Sequence, residues 1–149
     1  SGYGAEFPGF WAKMVGDEGR ISYAVRDLGS GRLAGTSSFL RIEPRHRTVE
    51  IGYTFFRPQF RGTYVNPEAK LLMLGHAFGE GALRVQFNVD TRYARSQAAV
   101  AKLGAVKEGV IRRHIVTWTG YKRDTATFSI LSEEWPAVEK RLKQRLERA

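Results

Sequence analysis

The sequence predicts a mixed α/β (α+β) fold in a single domain spanning 1–149, a mostly antiparallel sheet flanked by helices, and three observations predict it. Three runs alternating apolar and polar residues follow one another through short turns between 21 and 56. A fourth such run, at 84–89, is separated from the third by a long apolar helical pattern. Two more strand-like runs, joined by a hairpin-sized loop, precede a terminal amphipathic helix. Period two marks half-buried strands and period 3.6 marks helices.

Residues 1–10, SGYGAEFPGF, are punctuated by Gly and Pro and predict irregular chain, and 11–15 predict the tail of a helix ending near Gly16. Ile21, Tyr23 and Val25 alternate with Ser22, Ala24 and Arg26, which makes a first strand. The turn DLGSGR at 27–32 leads to a second strand at 33–42, where Gly35 allows backbone or ligand to come close. Pro44 breaks that strand, and the basic tip EPRHRT leads to a third at 49–56. There Ile51, Tyr53 and Phe55 alternate with Glu50, Gly52 and Thr54, so Glu50 and Thr54 are expected on one face. Short connections make these three strands an antiparallel meander.

A short loop carrying Gln59, Arg61 and Gly62 changes the period to helical. Asn66 is expected to cap the next helix, with Pro67 as its first residue and Glu68 near the positive end of its dipole. Ala69, Leu72 and Met73 on one side and Leu71, Leu74 and Phe78 on another leave it apolar nearly all round, so it is expected to lie buried against the sheet. His76 within it reads as a packed, hydrogen-bonded histidine. In the next strand Val85, Phe87 and Val89 face one way and Arg84, Gln86 and Asn88 the other. A strand, a crossover helix and a strand predict a parallel pair.

In the stretch 90–104, Ser96, Ala99, Val100 and Leu103 fall on one helical face and Gly104 stands where a C-terminal cap belongs. The runs at 105–118 and 123–131 predict a hairpin. A regular strand would put Val110, Arg112 and His114 on one face of it, and Ala126, Phe128 and Ile130 of its partner toward the core. Val138, Leu142 and Leu146 form the stripe of a terminal helix from Trp135, whose basic outer face reads as solvated surface.

A length of 149 residues without cysteine fits one domain and excludes a disulfide scaffold and any thiolate nucleophile or zinc site; no metal site is expected. No run approaches the ~18 apolar residues of a membrane span, and no charged-then-apolar start reads as a signal peptide, so a soluble cytoplasmic protein is the default. The formal charge of +9 favours polyanionic partners, either nucleic acid or a polyphosphate cofactor, and a generally basic solvated surface accounts for it equally well.

The strand, loop and helix at 50–74 leave unpaired N–H groups at a helix N-terminus, which suits an anion and usually a phosphate. Neither the dinucleotide fingerprint nor the P-loop is present. The loop QFRGTY at 59–64 resembles the Q/R-x-x-G-x-G/A pyrophosphate loop of the GNAT superfamily of acyl-CoA-dependent N-acetyltransferases. EIGYT before it and NPEAKLLML after it look like the RimJ/RimL-type branch, and the likeness runs from about Ile21 to the end of the chain. It implies acetyl-CoA as cofactor, its pyrophosphate on the N–H groups of Arg61, Gly62, Thr63, Tyr64 and Val65 and the helix start at Asn66, with Phe55, Phe56 and Gln59 also lining the site. Tyr64 departs from the family's Gly or Ala, so its side chain must lie away from the phosphates or the loop must shift. The resemblance also implies a first strand and one or two helices ahead of the point where this chain starts.

A second likeness is the family's N-x-R-S-Q segment. Tyr93 replaces the Asn that helps hold the pantetheine arm, Ser96 and Gln97 match, and Val100 stands where many members carry the tyrosine that reprotonates the thiolate. Ser96 is then the nearest candidate acid, or simply a helix cap. The chemistry implied is attack of an amine on the thioester, which needs a base. Glu50 matches the strand glutamate that serves in some members, and as a structural residue it would pair with a nearby Arg. His114 and Asp124 are secondary candidates, and His46 reads as solvated. A backbone N–H near Phe55 or Phe56, where family members splay this strand, would polarise the carbonyl. The implied acceptor is a primary amine, a protein N-terminus or a small molecule, and a homodimer is compatible with the sequence. Two alternatives stay open: an acyl-CoA-binding module without catalysis, and a nucleic-acid-binding domain resting on charge alone.

Overall fold

A computed structural model describes residues 20–148. The irregular start and the helix tail expected at 1–10 and 11–15 lie outside the described residues. Strands β1 (Ile21–Asp27), β2 (Arg32–Glu43) and β3 (Thr48–Phe56) form the expected meander. Helix α1 (Val65–Gly79) then crosses over to β4 (Arg84–Asp90), which pairs with β3 in parallel. Helix α2 (Ala94–Leu103), the hairpin of β5 (Val106–Val116) and β6 (Lys122–Leu131), and helix α3 (Trp135–Glu147) follow. The six strands make one sheet in the order β1-β2-β3-β4-β6-β5. All neighbours are antiparallel except β3 and β4.

One face of the sheet carries the main core. Phe39, Val49, Ile51, Val85, Phe87, Ala126, Phe128 and Ile130 pack with Leu74 and Ala77 of α1, Leu103 of α2 and Trp135, Val138 and Leu142 of α3. Full burial of each such aliphatic or aromatic side chain contributes roughly 1.5–3 kcal/mol. The opposite face is polar, because Glu50, Gln86 and Asn88 alternate with the core residues along their strands. His76 is buried with its ring 6.2 Å from that of Phe39, the packed histidine expected.

Several expectations need correction. Helix α1 starts at Val65 with Tyr64 as its N-cap and no side-chain cap, so Asn66 lies inside the first turn and does not cap it. Leu72 is exposed, whereas Lys70 is buried, so the helix is not apolar all round but carries a cation on its inner side. On α2 only Leu103 is buried; Val100 packs partly against the core, and Ser96 and Ala99 are exposed. Gly104 does end that helix, with a left-handed φ of 107°. Strand β5 is irregular, with register shifts at 107–109 and 111–115 and a positive φ at Arg113, so the face assignments for a regular strand do not hold.

Candidate functional site

Tyr53 has a φ of 47° and makes β3 bulge. Pairing with β2 passes from Ser38↔Gly52 to Thr36↔Phe55, so β3 spends one residue more than β2 there. An extra residue flips the alternation and bends the strand. Before the bulge Ile51 faces the core; after it Phe56 does, and Tyr53 and Phe55 are exposed at 63% and 58%, contrary to the simple alternation. For the same reason Glu50 and Thr54 occupy opposite faces. Thr54 bonds Ser37 and Lys70 on the helix side, whereas Glu50 bonds Gln86 and Asn88 on the polar side. Gly35 permits this path, since a Cβ there would lie 2.0 Å from the Phe55 carbonyl oxygen.

The bend also separates β3 from β4. Their parallel ladder pairs Thr48↔Arg84, Val49↔Val85 and Glu50↔Gln86 and stops there, although β3 continues to Phe56 and β4 to Asp90. Glu50 is therefore the last paired residue, at the apex of the opening between the two strands. It is 5% exposed, and Arg41 Nε at 2.9 Å, Asn88 Nδ2 at 2.7 Å and Gln86 Nε2 at 3.4 Å all meet its Oε1. Oε2 has no partner among the described residues and lies beside Gly52, where a Cβ would come within 3.2 Å. Burial pushes the carboxyl above its ordinary range, offset in part by Arg41, Gln86, Asn88 and Arg123. A buried carboxylate with one free oxygen and a raised proton affinity is chemically a base.

At the far end of β3 a 3₁₀ turn, Pro58–Phe60, leads through Gly62 (φ 71°) into α1. The N–H groups of Arg61, Thr63 and Val65 are taken by Pro58 O, Phe60 O and Thr63 Oγ1. Those of Gly62, Tyr64 and Asn66 have no partner among the described residues, and at the positive end of the helix dipole such an arrangement suits an anion. The Tyr64 side chain turns away from it, its hydroxyl donating to Asp27 Oδ1 in the β1–β2 turn. Arg61 reaches back to the Phe56 carbonyl at 2.8 Å, and Gln59 is exposed beside the turn. Next to this loop lies a cavity of ≈ 380 Å³ lined by Gly62, Thr63, Tyr64 and Pro67 together with Lys102 of α2 and Arg145 of α3. Sequence reasoning missed those two cations, because only the tertiary fold carries helix ends 40 and 83 residues beyond Gly62 (102 − 62 and 145 − 62) to the loop.

The other candidates are scattered. Tyr93 is exposed and acts as N-cap of α2 without a side-chain bond. Ser96, third in that helix, caps nothing, and its hydroxyl makes no hydrogen bond among the described residues. His114 Nδ1 is 2.9 Å from Thr125 Oγ1, and burial, then Arg41 and Arg123, push its proton affinity down. Asp124 accepts from the Arg113 backbone N–H at 2.7 Å, and His46 lies exposed in the β2–β3 turn. No helix of the described residues is long and apolar enough to cross a membrane.

The family model for the acetyltransferase (GNAT) domain matches residues 4–106. The chain belongs to the GNAT acetyltransferases. Solved structures agree: a protein from T. thermophilus assigned as an acetyltransferase is 43% identical to this GNAT chain, with a TM-score of 0.82 over 91% of this chain and 71% of its own. A GCN5-related N-acetyltransferase from Brucella melitensis is 32% identical, with a TM-score of 0.81 over 85% of this chain and 57% of that one. A spermidine N-acetyltransferase from Vibrio cholerae shares the fold at 18% identity, with a TM-score of 0.71 over 85% and 73% of the two chains. No curated protein matches the sequence. The GNAT enzyme has the expected mixed sheet, with the Gly62 loop directly after the strand that parts from its neighbour.

Proposed function

We propose that this acetyltransferase moves the acetyl group of acetyl-CoA to a primary amine by direct attack on the thioester, with Glu50 as base. The observation that carries the proposal is the opening between β3 and β4, which starts at Glu50 and ends at the anion loop. The coenzyme's pyrophosphate would take the free N–H groups of Gly62, Tyr64 and Asn66, and Lys102 and Arg145 would meet its remaining phosphate charge. Its pantetheine arm would run along the unpaired edge of β3 past Phe56 and Phe55, toward Tyr93 and Ser96 on α2.

The amine must lose a proton as it attacks. Glu50 Oε2 is the free acceptor for that proton, directly or through water, and such assistance is worth ~10²–10⁴-fold in rate. The C–S bond then breaks and the thiolate leaves. Ser96 is the protic side chain proposed to return a proton to it, within ~2.6–3.2 Å in the loaded enzyme. Val100 cannot serve, since it carries no proton and packs partly into the core. The RimJ/RimL likeness favours a protein N-terminus over a small amine as acceptor, and a cytoplasmic site of action follows the sequence expectation.

Calorimetric titration with acetyl-CoA, coenzyme A and a short DNA duplex, at low and moderate salt, tests this first. Micromolar binding of both CoA ligands that survives moderate salt supports the coenzyme site. Turnover over a panel of N-terminal peptides and small amines, polyamines included, then identifies the acceptor. Coenzyme binding with no turnover over the panel selects the non-catalytic module, and binding to the duplex alone, lost as salt rises, selects the nucleic-acid binder.

A further inference from the structure

Lys70 is 4% exposed on the inner side of α1, and among the described residues no carboxylate accompanies it. Its Nζ donates to Thr54 Oγ1 and Asn66 Oδ1, both at 3.1 Å, and to Ser37 Oγ at 3.4 Å. The Phe56 ring lies 5.8 Å away. These groups come from β2, β3 and the first turn of its own helix, and none of them is ionisable. A methionine would fill the same space without the desolvation cost of an ammonium. The placement has a geometric consequence, because helical side chains lean toward the N-terminus. Nζ therefore stands level with Asn66, in the turn whose N–H groups border the anion site, while its other bonds grip the strand just beyond the Tyr53 bulge.

We infer that Lys70 is a positioning residue for the anion loop, whose buried ammonium holds the first turn of α1 against the β3 bulge and takes the coenzyme's phosphates as its missing counter-charge. The inference rests on the coenzyme site proposed above. Burial alone brings the free amine down to about 7, so near neutral pH it is charged in only part of the molecules. A bound polyanion favours the charged form and raises that value. Below the free value the amine is already protonated and binding takes up nothing there; above it, binding takes up protons until the pH passes the bound value.

The test is titration calorimetry of the wild type and Lys70→Met with coenzyme A at about pH 8, in two buffers of different ionisation enthalpy, with melting temperatures measured alongside. The wild type is expected to take up more protons on binding than the variant, a difference that cancels the titration of the coenzyme's own phosphate. The variant is expected to bind roughly tenfold more weakly, as for charges several ångströms apart at an intermediate dielectric. Equal proton uptake in the two proteins, or an unchanged affinity in Lys70→Met, overturns the inference even if the variant melts earlier. Should the variant not fold, the wild type decides with 3′-dephospho-CoA, whose pyrophosphate does not titrate in this range. Uptake larger at about pH 8 than at about pH 6 sustains the inference, and equal uptake overturns it. Binding without linkage overturns this inference alone; no binding of coenzyme A by the wild type overturns the coenzyme site with it.

Discussion

Asn88 Nδ2 donates to Glu50 Oε1 at 2.7 Å, across β4 and β3 at the point where the two strands part. With Arg41 and Gln86 on the same oxygen, one side of the carboxylate is saturated and the other is left open. The donors hold the orientation, and Oε2 is free for a proton. Glu50→Gln keeps the shape and removes the basicity. It is expected to lower kcat by roughly 10²–10³-fold while leaving the coenzyme Kd within about twofold. Steady-state kinetics beside calorimetry checks it; wild-type kcat in the variant would move the base elsewhere.

With Glu50 as the proposed base, Arg41 sets the pH at which it would work. Burial raises the Glu50 carboxyl, and Arg41 is the largest force pulling it back. The base acts only when ionised, so activity falls as pH drops through the raised value. Arg41→Met is expected to move the acid limb of kcat/KM to higher pH, with kcat on the alkaline plateau little changed. A limb that stays in place would mean that the titration belongs to another group.

The meander, the crossover and the terminal hairpin were legible in the sequence because period-two alternation reports one buried face, and it held wherever the strands were regular. It failed at 53–56, where an extra residue inverts the alternation, and no propensity marks Tyr53 for a positive φ. The loop between β3 and α1 was legible because glycine and the switch to a helical period are local signals. Lys102 and Arg145 were not, since contacts between helix ends are set by tertiary packing. Lys70 was hidden for a different reason: a lysine in a helical pattern reads as surface, and only burial shows otherwise.

Gly62 tests the anion loop. Its φ of 71° favours glycine, and a Cβ there would meet nothing within 4 Å. Gly62→Ala isolates the backbone strain and is expected to lower stability by ~1 kcal/mol, with coenzyme still bound. Gly62→Glu adds a carboxylate at the proposed phosphate site and is expected to abolish detectable coenzyme binding. Equal affinities for the two variants would show that phosphate does not sit at this loop.

Lys102 and Arg145 supply charge without built geometry, so their contribution is expected to be modest and screened. Arg145→Ala or Lys102→Ala should weaken coenzyme A binding roughly threefold to tenfold at low salt, with the difference shrinking as salt rises. A deficit independent of salt would point to a packing role instead.

Gly35 links stability to the opening itself. An alanine Cβ would lie 2.0 Å from the Phe55 oxygen and 2.8 Å from the Phe56 Cα, both backbone atoms that cannot swing aside. Strands β2 and β3 would have to separate at the bulge, at a cost of ~1–3 kcal/mol or more. Leu74→Ala, at a fully buried core position, is expected to cost ~2–5 kcal/mol through cavity formation. If the bulge shapes the coenzyme cleft, Gly35→Ala lowers coenzyme affinity along with the melting temperature. Leu74→Ala then lowers the melting temperature and leaves the affinity of the folded fraction nearly unchanged. Measuring both quantities on both variants separates the effects, and Gly35→Ala with wild-type affinity would show that the strand can part from β4 without the bulge.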